Sequence, residues 1–133
     1  MEFRTRTYRA LLVEDNQGDV LLVQRALSLS KDGPSFEVLT TDTFQQGLAL
    51  YASEKPDVVL LDLNLPDSTG LETFLEFRRA HPDAPIVVLS ALALGDTAAQ
   101  LIQAGAQDYI FKDELPNATT LARVLHFSLE RAS

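Results

Sequence analysis

The sequence predicts an α/β fold: a doubly wound sheet of five parallel strands with helices on both faces. Short runs rich in Val, Leu and Ile recur five times along the 133 residues. Between them lie segments whose apolar residues repeat with the period of a helix. The runs are mostly continuous in apolar character, which suits strands covered on both faces in a parallel sheet. Strand and helix alternating five times call for right-handed crossovers.

Each element follows in order. Met1 to Arg9 holds three arginines with no apolar stretch behind a polar break, so residues 1–7 read as a short leader and not a signal peptide. The first strand is expected near residues 8–14, on Ala10-Leu11-Leu12-Val13. Asn16 followed by Asp19 caps a helix with the apolar stripe Val20, Val23 and Leu27. Phe36-Glu37-Val38-Leu39 marks a second strand near 35–40, mixed as an edge strand would be. Thr43 and Gln46 have capping-box spacing ahead of Phe44, Leu48 and Tyr51. The third strand is expected near 57–62, on Val58-Val59-Leu60-Leu61, and Thr69 with Glu72 repeats the capping spacing before Leu71, Phe74 and Leu75. The fourth lies near 85–90, on Ile86-Val87-Val88-Leu89. Asp96 caps a short helix through Leu101, and Gly105 falls where a helix end favours a left-handed residue. The fifth strand lies near 107–111, on Asp108-Tyr109-Ile110-Phe111. Pro116-Asn117 opens a last helix with Leu121, Val124, Leu125 and Leu129 spaced for burial. Five such strands take the flavodoxin-like order 2-1-3-4-5, and residues 1–133 are expected to form a single domain.

Composition narrows the function. The formal charge is −8, which disfavours direct binding to nucleic acid. There is no cysteine, hence no disulfide and no thiolate metal site. No stretch approaches the roughly 20 apolar residues that span a bilayer, so no membrane partner is expected and the cytoplasm is the expected location. Lys112-Asp113-Glu114-Leu115 spells a retention tetrapeptide, but it is internal and cannot act as one.

The chemistry gathers at the strand ends. The first strand delivers Glu14-Asp15, the third Asp62, the fourth Ser90 and the fifth Lys112. In the expected order the first and third strands flank the topological switch point, where ligands bind beyond the carboxyl ends. Taken singly, each residue has an ordinary explanation: acids before a helix, a polar strand end, a satisfied hydroxyl, a solvated cation. Taken together, three crowded carboxylates repel one another unless a cation neutralises them. A divalent metal and Lys112 would do so. Oxygen donors suit Mg²⁺, and no histidine stands near enough to suggest zinc. A carboxylate can also act as a nucleophile and form an aspartyl phosphate. Phosphoryl transfer then needs charge neutralisation and in-line positioning more than acid–base chemistry.

These residues resemble the response-regulator receiver domain of two-component signal transduction systems over essentially the whole chain. The matching pieces are Leu12-Val13-Glu14-Asp15-Asn16, Val59 through Asp67, Gly70-Leu71-Glu72, Val88-Leu89-Ser90-Ala91, Gly105 through Tyr109, and Lys112. The resemblance implies that Asp62 is the phosphoacceptor. It implies Mg²⁺ or Mn²⁺ held directly by Asp15 and Asp62, by Glu14 through water, and by the backbone carbonyl of Asn64. Ser90 would bond the phosphoryl group, Lys112 would be its cationic partner, and the Tyr109 ring would turn inward when Ser90 moves. The readout would be the surface of the fourth helix, fifth strand and fifth helix. His81 and His126 sit too far from Asp62 to feed it, so the donor would be a histidine kinase, a histidine phosphotransfer protein or a small acyl phosphate. An output partner or domain and a homodimer formed on activation are also implied. Such a module catalyses its own phosphorylation and dephosphorylation without a turnover substrate.

The chain departs from the family pattern where Asp113, and not proline, follows Lys112. Leu92 and Asn64 stand at positions where the family varies. Two other readings are a partner-binding scaffold of receiver shape and a phosphatase of the haloacid-dehalogenase type. The latter would place its nucleophile on the first strand with a second acid two residues on, whereas here Asp62 is on the third and Asn64 takes the second place.

Overall fold

The computed structural model describes residues 7–29, 35–91, 96–115 and 118–132. Five strands form one sheet: β1 (Thr7–Val13), β2 (Ser35–Thr41), β3 (Val58–Asp62), β4 (Ile86–Ser90) and β5 (Asp108–Phe111). They run in the order β2-β1-β3-β4-β5, and each neighbouring pair is parallel, as the alternation of strands and helices requires. Every residue of β3 and β4 is buried, whereas β2 at the edge is half exposed.

Five helices cover the sheet: α1 (Gln17–Leu29), α2 (Phe44–Glu54), α3 (Leu71–Ala80), α4 (Asp96–Gln103) and α5 (Ala118–Ala132). Because successive strand residues point to opposite faces, each strand feeds two cores. Ala10 and Leu12 join Leu60, Leu89 and the α1 and α5 residues Val20, Val23, Leu121 and Leu125. Leu11 and Val13 join Leu61, Val88 and the aromatic group Phe44, Phe74 and Phe77 on the other face, with Leu101 of α4. Each fully buried Leu or Phe contributes about 1.5–3 kcal/mol relative to exposure, so the two faces hold the strand ends in fixed register.

That register sets the functional edge. Val13 stands opposite Thr41 and Leu61, Asp62 opposite Leu89, and Ser90 opposite Phe111. Glu14, Asp62, Ser90 and Lys112 therefore leave the sheet at its carboxyl edge.

Two of the expected caps form as the spacing predicts. The Asp19 N–H donates to Asn16 Oδ1 at 2.9 Å, and the Gln46 N–H to Thr43 Oγ1 at 3.2 Å. Gly105 takes a φ of +108°, the left-handed conformation expected of a helix end.

The cap expected from Thr69 and Glu72 does not form. Thr69 instead pairs with Asn64 in a two-residue antiparallel ribbon, with Leu65 opposite Ser68. Gly70 is the residue before α3, at φ +77°, and makes no side-chain cap bond. Its N–H returns to the Leu63 carbonyl at 2.7 Å, closing a turn that a side chain would strain. The first strand also begins and ends one residue earlier than 8–14. Thr7 pairs with Ser35, and Glu14 lies past the strand end while its N–H still donates to Thr41 at 2.9 Å. Residues 1–6 of the expected leader, Leu92, and the Pro116-Asn117 helix start lie outside the described residues.

Lys112–Glu114 form one turn of 3₁₀ helix, and the Lys112–Asp113 peptide, which has no proline, is trans. Among the described residues no helix is long and apolar enough to cross a membrane.

Candidate functional site

Asp62 closes β3 at 2% exposure and Glu14 follows β1 at 1%, while Asp15 opens to solvent. One carboxylate oxygen from each of the three lies within 4.8 Å of the others. Lys112 reaches this group from the end of β5. Its Nζ is 2.6 Å from Glu14 Oε1, 2.9 Å from Asp19 Oδ2 and 3.4 Å from Asp62 Oδ1. The pair with Glu14 is the shortest of the three. The other oxygen of Glu14 accepts from the Asn16 N–H at 3.2 Å.

The charges do not balance. Lys112 contacts Glu14, Asp19 and Asp62, and Asp15 adds a fourth carboxylate beside a single ammonium. Burial, followed by the hydrogen bond to Glu14 and its charge, pushes the Asp62 carboxyl from 3.8 up to about 7. Lys112 and the Asn64 backbone N–H pull it the other way and lose. Burial alone would lower Lys112, but its carboxylate partners overcome that and hold it firmly as an ammonium. An oxygen-only donor set and excess negative charge fit a hard divalent cation held by Glu14, Asp15 and Asp62.

The remaining candidates stand around this cluster. Ser90 closes β4 at 6% exposure, on the edge that carries Asp62. Tyr109 is paired with Val88, two residues back from Ser90 on the same face of the sheet, and its side chain is 40% exposed. Asn64 starts the ribbon after Asp62, with its side chain in solvent and its N–H on the Asp62 carboxylate. Two residues escaped the sequence. Asp19, expected only as an acid in a helix start, is a direct partner of Lys112 from 93 residues away. Asp67 accepts from the Phe44 and Gln45 N–H groups at 2.8 and 3.0 Å, capping α2 from the loop that follows Asp62. Neither contact leaves a local signal, because both partners are distant in sequence.

A parallel sheet of this order, with acids at the ends of β1 and β3 and a lysine at the end of β5, defines a phosphorylation-switched signalling domain. The family model of the response regulator receiver domain matches residues 10–123, and the chain belongs to that family. It is 37% identical over 102 residues to the KDP operon transcriptional regulatory protein KdpE of Escherichia coli (strain K12), covering 77% of this chain and 43% of that protein. The chain thus spans less than half the length of the curated relatives it matches. Among solved structures it superposes on NtrX from Brucella abortus with a TM-score of 0.79 at 30% identity, covering 95% of this chain and 28% of that one. It also superposes on the phosphorylated cyanobacterial phytochrome response regulator RcpA with a TM-score of 0.72 at 27% identity, covering 96% and 97%. The chain is a regulatory domain, and the haloacid-dehalogenase alternative falls: Asp62 closes the third strand of a receiver sheet.

Proposed function

We propose that Asp62 accepts a phosphoryl group from a histidine kinase or histidine phosphotransfer protein and that the change is relayed through the α4–β5–α5 surface. The observation that carries this reading is Asp62 itself, buried at the carboxyl edge between Glu14 and the Lys112 ammonium. Receiver domains generally bind Mg²⁺ through acidic residues, and the Glu14, Asp15 and Asp62 cluster supplies them here. Asp15 and Asp62 would bind the ion directly, Glu14 through water, and the Asn64 carbonyl would complete the protein ligands; Mn²⁺ would serve as well. When bound, the ion neutralises the surplus carboxylate charge and draws electron density from the phosphoryl oxygens.

A carboxylate oxygen of Asp62 attacks phosphorus. The bond from phosphorus to the donor's imidazole nitrogen, or to the oxygen of a small acyl phosphate, breaks and leaves its electron pair on the donor. Lys112 and Ser90 then bond the oxygens of the new group. Phosphorylation replaces one carboxylate charge with about −1.5 to −2 and adds acceptor oxygens, so these bonds favour one of two loop arrangements. Tyr109, half outside in this arrangement, is the ring that would follow Ser90 inward. Water later hydrolyses the acyl phosphate, so the domain catalyses only its own phosphorylation and dephosphorylation. The acidic chain engages proteins and not nucleic acid or membrane, acts in the cytoplasm and pairs with a second copy on activation.

Incubation with acetyl phosphate and Mg²⁺ should add one phosphoryl group by intact mass, and Asp62→Asn should abolish it. An unmodified wild-type protein, or an adduct that survives Asp62→Asn, sinks this reading.

A further inference from the structure

Lys112 does not serve Asp62 alone. It stands at the end of β5, at one edge of the sheet, and β4 and β3 lie between that strand and β1, the strand from which α1 and Asp19 follow. Its side chain reaches across the end of β3 to α1, where Nζ donates to Asp19 Oδ2 at 2.9 Å. The contact to Asp62 is 3.4 Å, beyond the usual 2.7–3.2 Å of an N–H···O bond. Without a phosphoryl group, the ammonium is better bonded to α1 than to the proposed acceptor.

From this we propose that Asp19 is a positioning residue that competes with phosphorylated Asp62 for the Lys112 ammonium and so restrains phosphoryl acceptance. The proposal rests on Asp62 being the acceptor.

An ammonium has three N–H donors and no more. Glu14 and Asp19 hold the ammonium at 2.6 and 2.9 Å and leave it 3.4 Å from Asp62, so a phosphoryl group there draws Lys112 into close contact by loosening one of those two pairs. Glu14 is the poorer candidate. Its side chain is fully buried, and stripping its cation would leave a charge with little solvent to receive it. Asp19 is 22% exposed and sits in the first turn of α1, where water and the positive end of the helix dipole can take over. Its backbone is meanwhile fixed by the bond to Asn16 Oδ1, so the competing carboxylate stays in place. Charge adds to competition with the same sign, because a carboxylate beside the site opposes an incoming anionic phosphoryl group.

The test is Asp19→Asn, read by acetyl phosphate labelling and beryllofluoride titration at saturating Mg²⁺. Labelling should quicken and beryllofluoride should bind more tightly, each by about two- to five-fold, the scale of a partly exposed ion pair. Mg²⁺ alone should bind more weakly to the variant, because one nearby negative charge is gone. That opposite pair of signs excludes general loosening, which would weaken both, and the Lys112→Ala background separates competition for the ammonium from charge alone. Added to Lys112→Ala, the same substitution should change beryllofluoride affinity by less than it does in the wild-type background. Unchanged or weaker beryllofluoride binding overturns the proposal, as does an equal gain with and without Lys112. If the wild-type protein accepts neither probe, the role of Asp62 falls and this one with it; if only the variant's gain is missing, Asp62 stands and Asp19 falls alone.

Discussion

Arg78 and Lys112 are both half-buried cations, and they meet opposite surroundings. The Arg78 guanidinium, stacked over the Phe74 ring, donates to the carbonyls of Pro82, Ala84 and Gly105 at 2.9, 2.7 and 2.8 Å. These acceptors are neutral backbone, and they join the end of α3 to the turn after α4. Among the described residues Lys112 meets carboxylates, more of them than it can neutralise. A planar fork on fixed carbonyls has one good geometry and makes a permanent joint. A compact ammonium among excess acids has partners at 2.6, 2.9 and 3.4 Å and no fixed fork to bind it to one of them. The difference separates a cation fixed on backbone from one shared among acids.

If that contrast is right, the acid cluster costs the metal-free fold stability and the Arg78 joint supports it. Asp62 titrates near 7 in the folded protein and near 3.8 otherwise, so the folded state binds its proton more tightly. Its contribution to stability is complete below about pH 4 and is lost as the pH rises through 7. In chelator at pH 8, Asp62→Asn should therefore raise the melting temperature, by a difference on the order of 2–4 kcal/mol that closes towards pH 4. Saturating Mg²⁺ should remove most of it. Thermal melts at both pH values, with and without metal, check this; a wild-type protein more stable than Asp62→Asn in chelator at pH 8 would break the contrast.

At the other cation, Arg78→Lys should lower stability by about 2 kcal/mol, because an ammonium cannot span the three carbonyls and leaves some unpaired. Acetyl phosphate labelling should not change. Denaturant unfolding with parallel labelling reads both, and an altered labelling rate would show that the joint belongs to the switch.

The smallest effect concerns an acid used as Arg78 is used. Asp67 holds two backbone N–H groups of α2, so Asp67→Ala should cost about 1 kcal/mol by denaturant unfolding.

These contrasts also explain what the sequence disclosed. The buried strands and the two cores follow from runs such as Val58–Leu61 and Ile86–Leu89, since burial on both faces is a property of the run itself, and the strand order follows from the alternation of strand and helix. The caps at Asn16 and Thr43 were legible because donor and acceptor lie within one turn. Thr69 misled because its neighbours from Leu63 to Gly70 fold back on themselves, and tertiary closure outweighs cap spacing. The acids and Lys112 could be placed at one edge because strand order alone brings them there. Asp19 against Lys112, Asp67 against α2 and Arg78 against Gly105 could not, for each joins side chain to partner across a distance set by packing.

The Asp67 bridge couples the site to a helix outside it. It ties the segment after Asp62 to the start of α2, so that flank is anchored twice, by the sheet and by the cap. Ser90 and Tyr109 lie on the opposite flank, beyond β3. A displacement of the segment after Asp62 would therefore carry the start of α2 with it, because one carboxylate belongs to both.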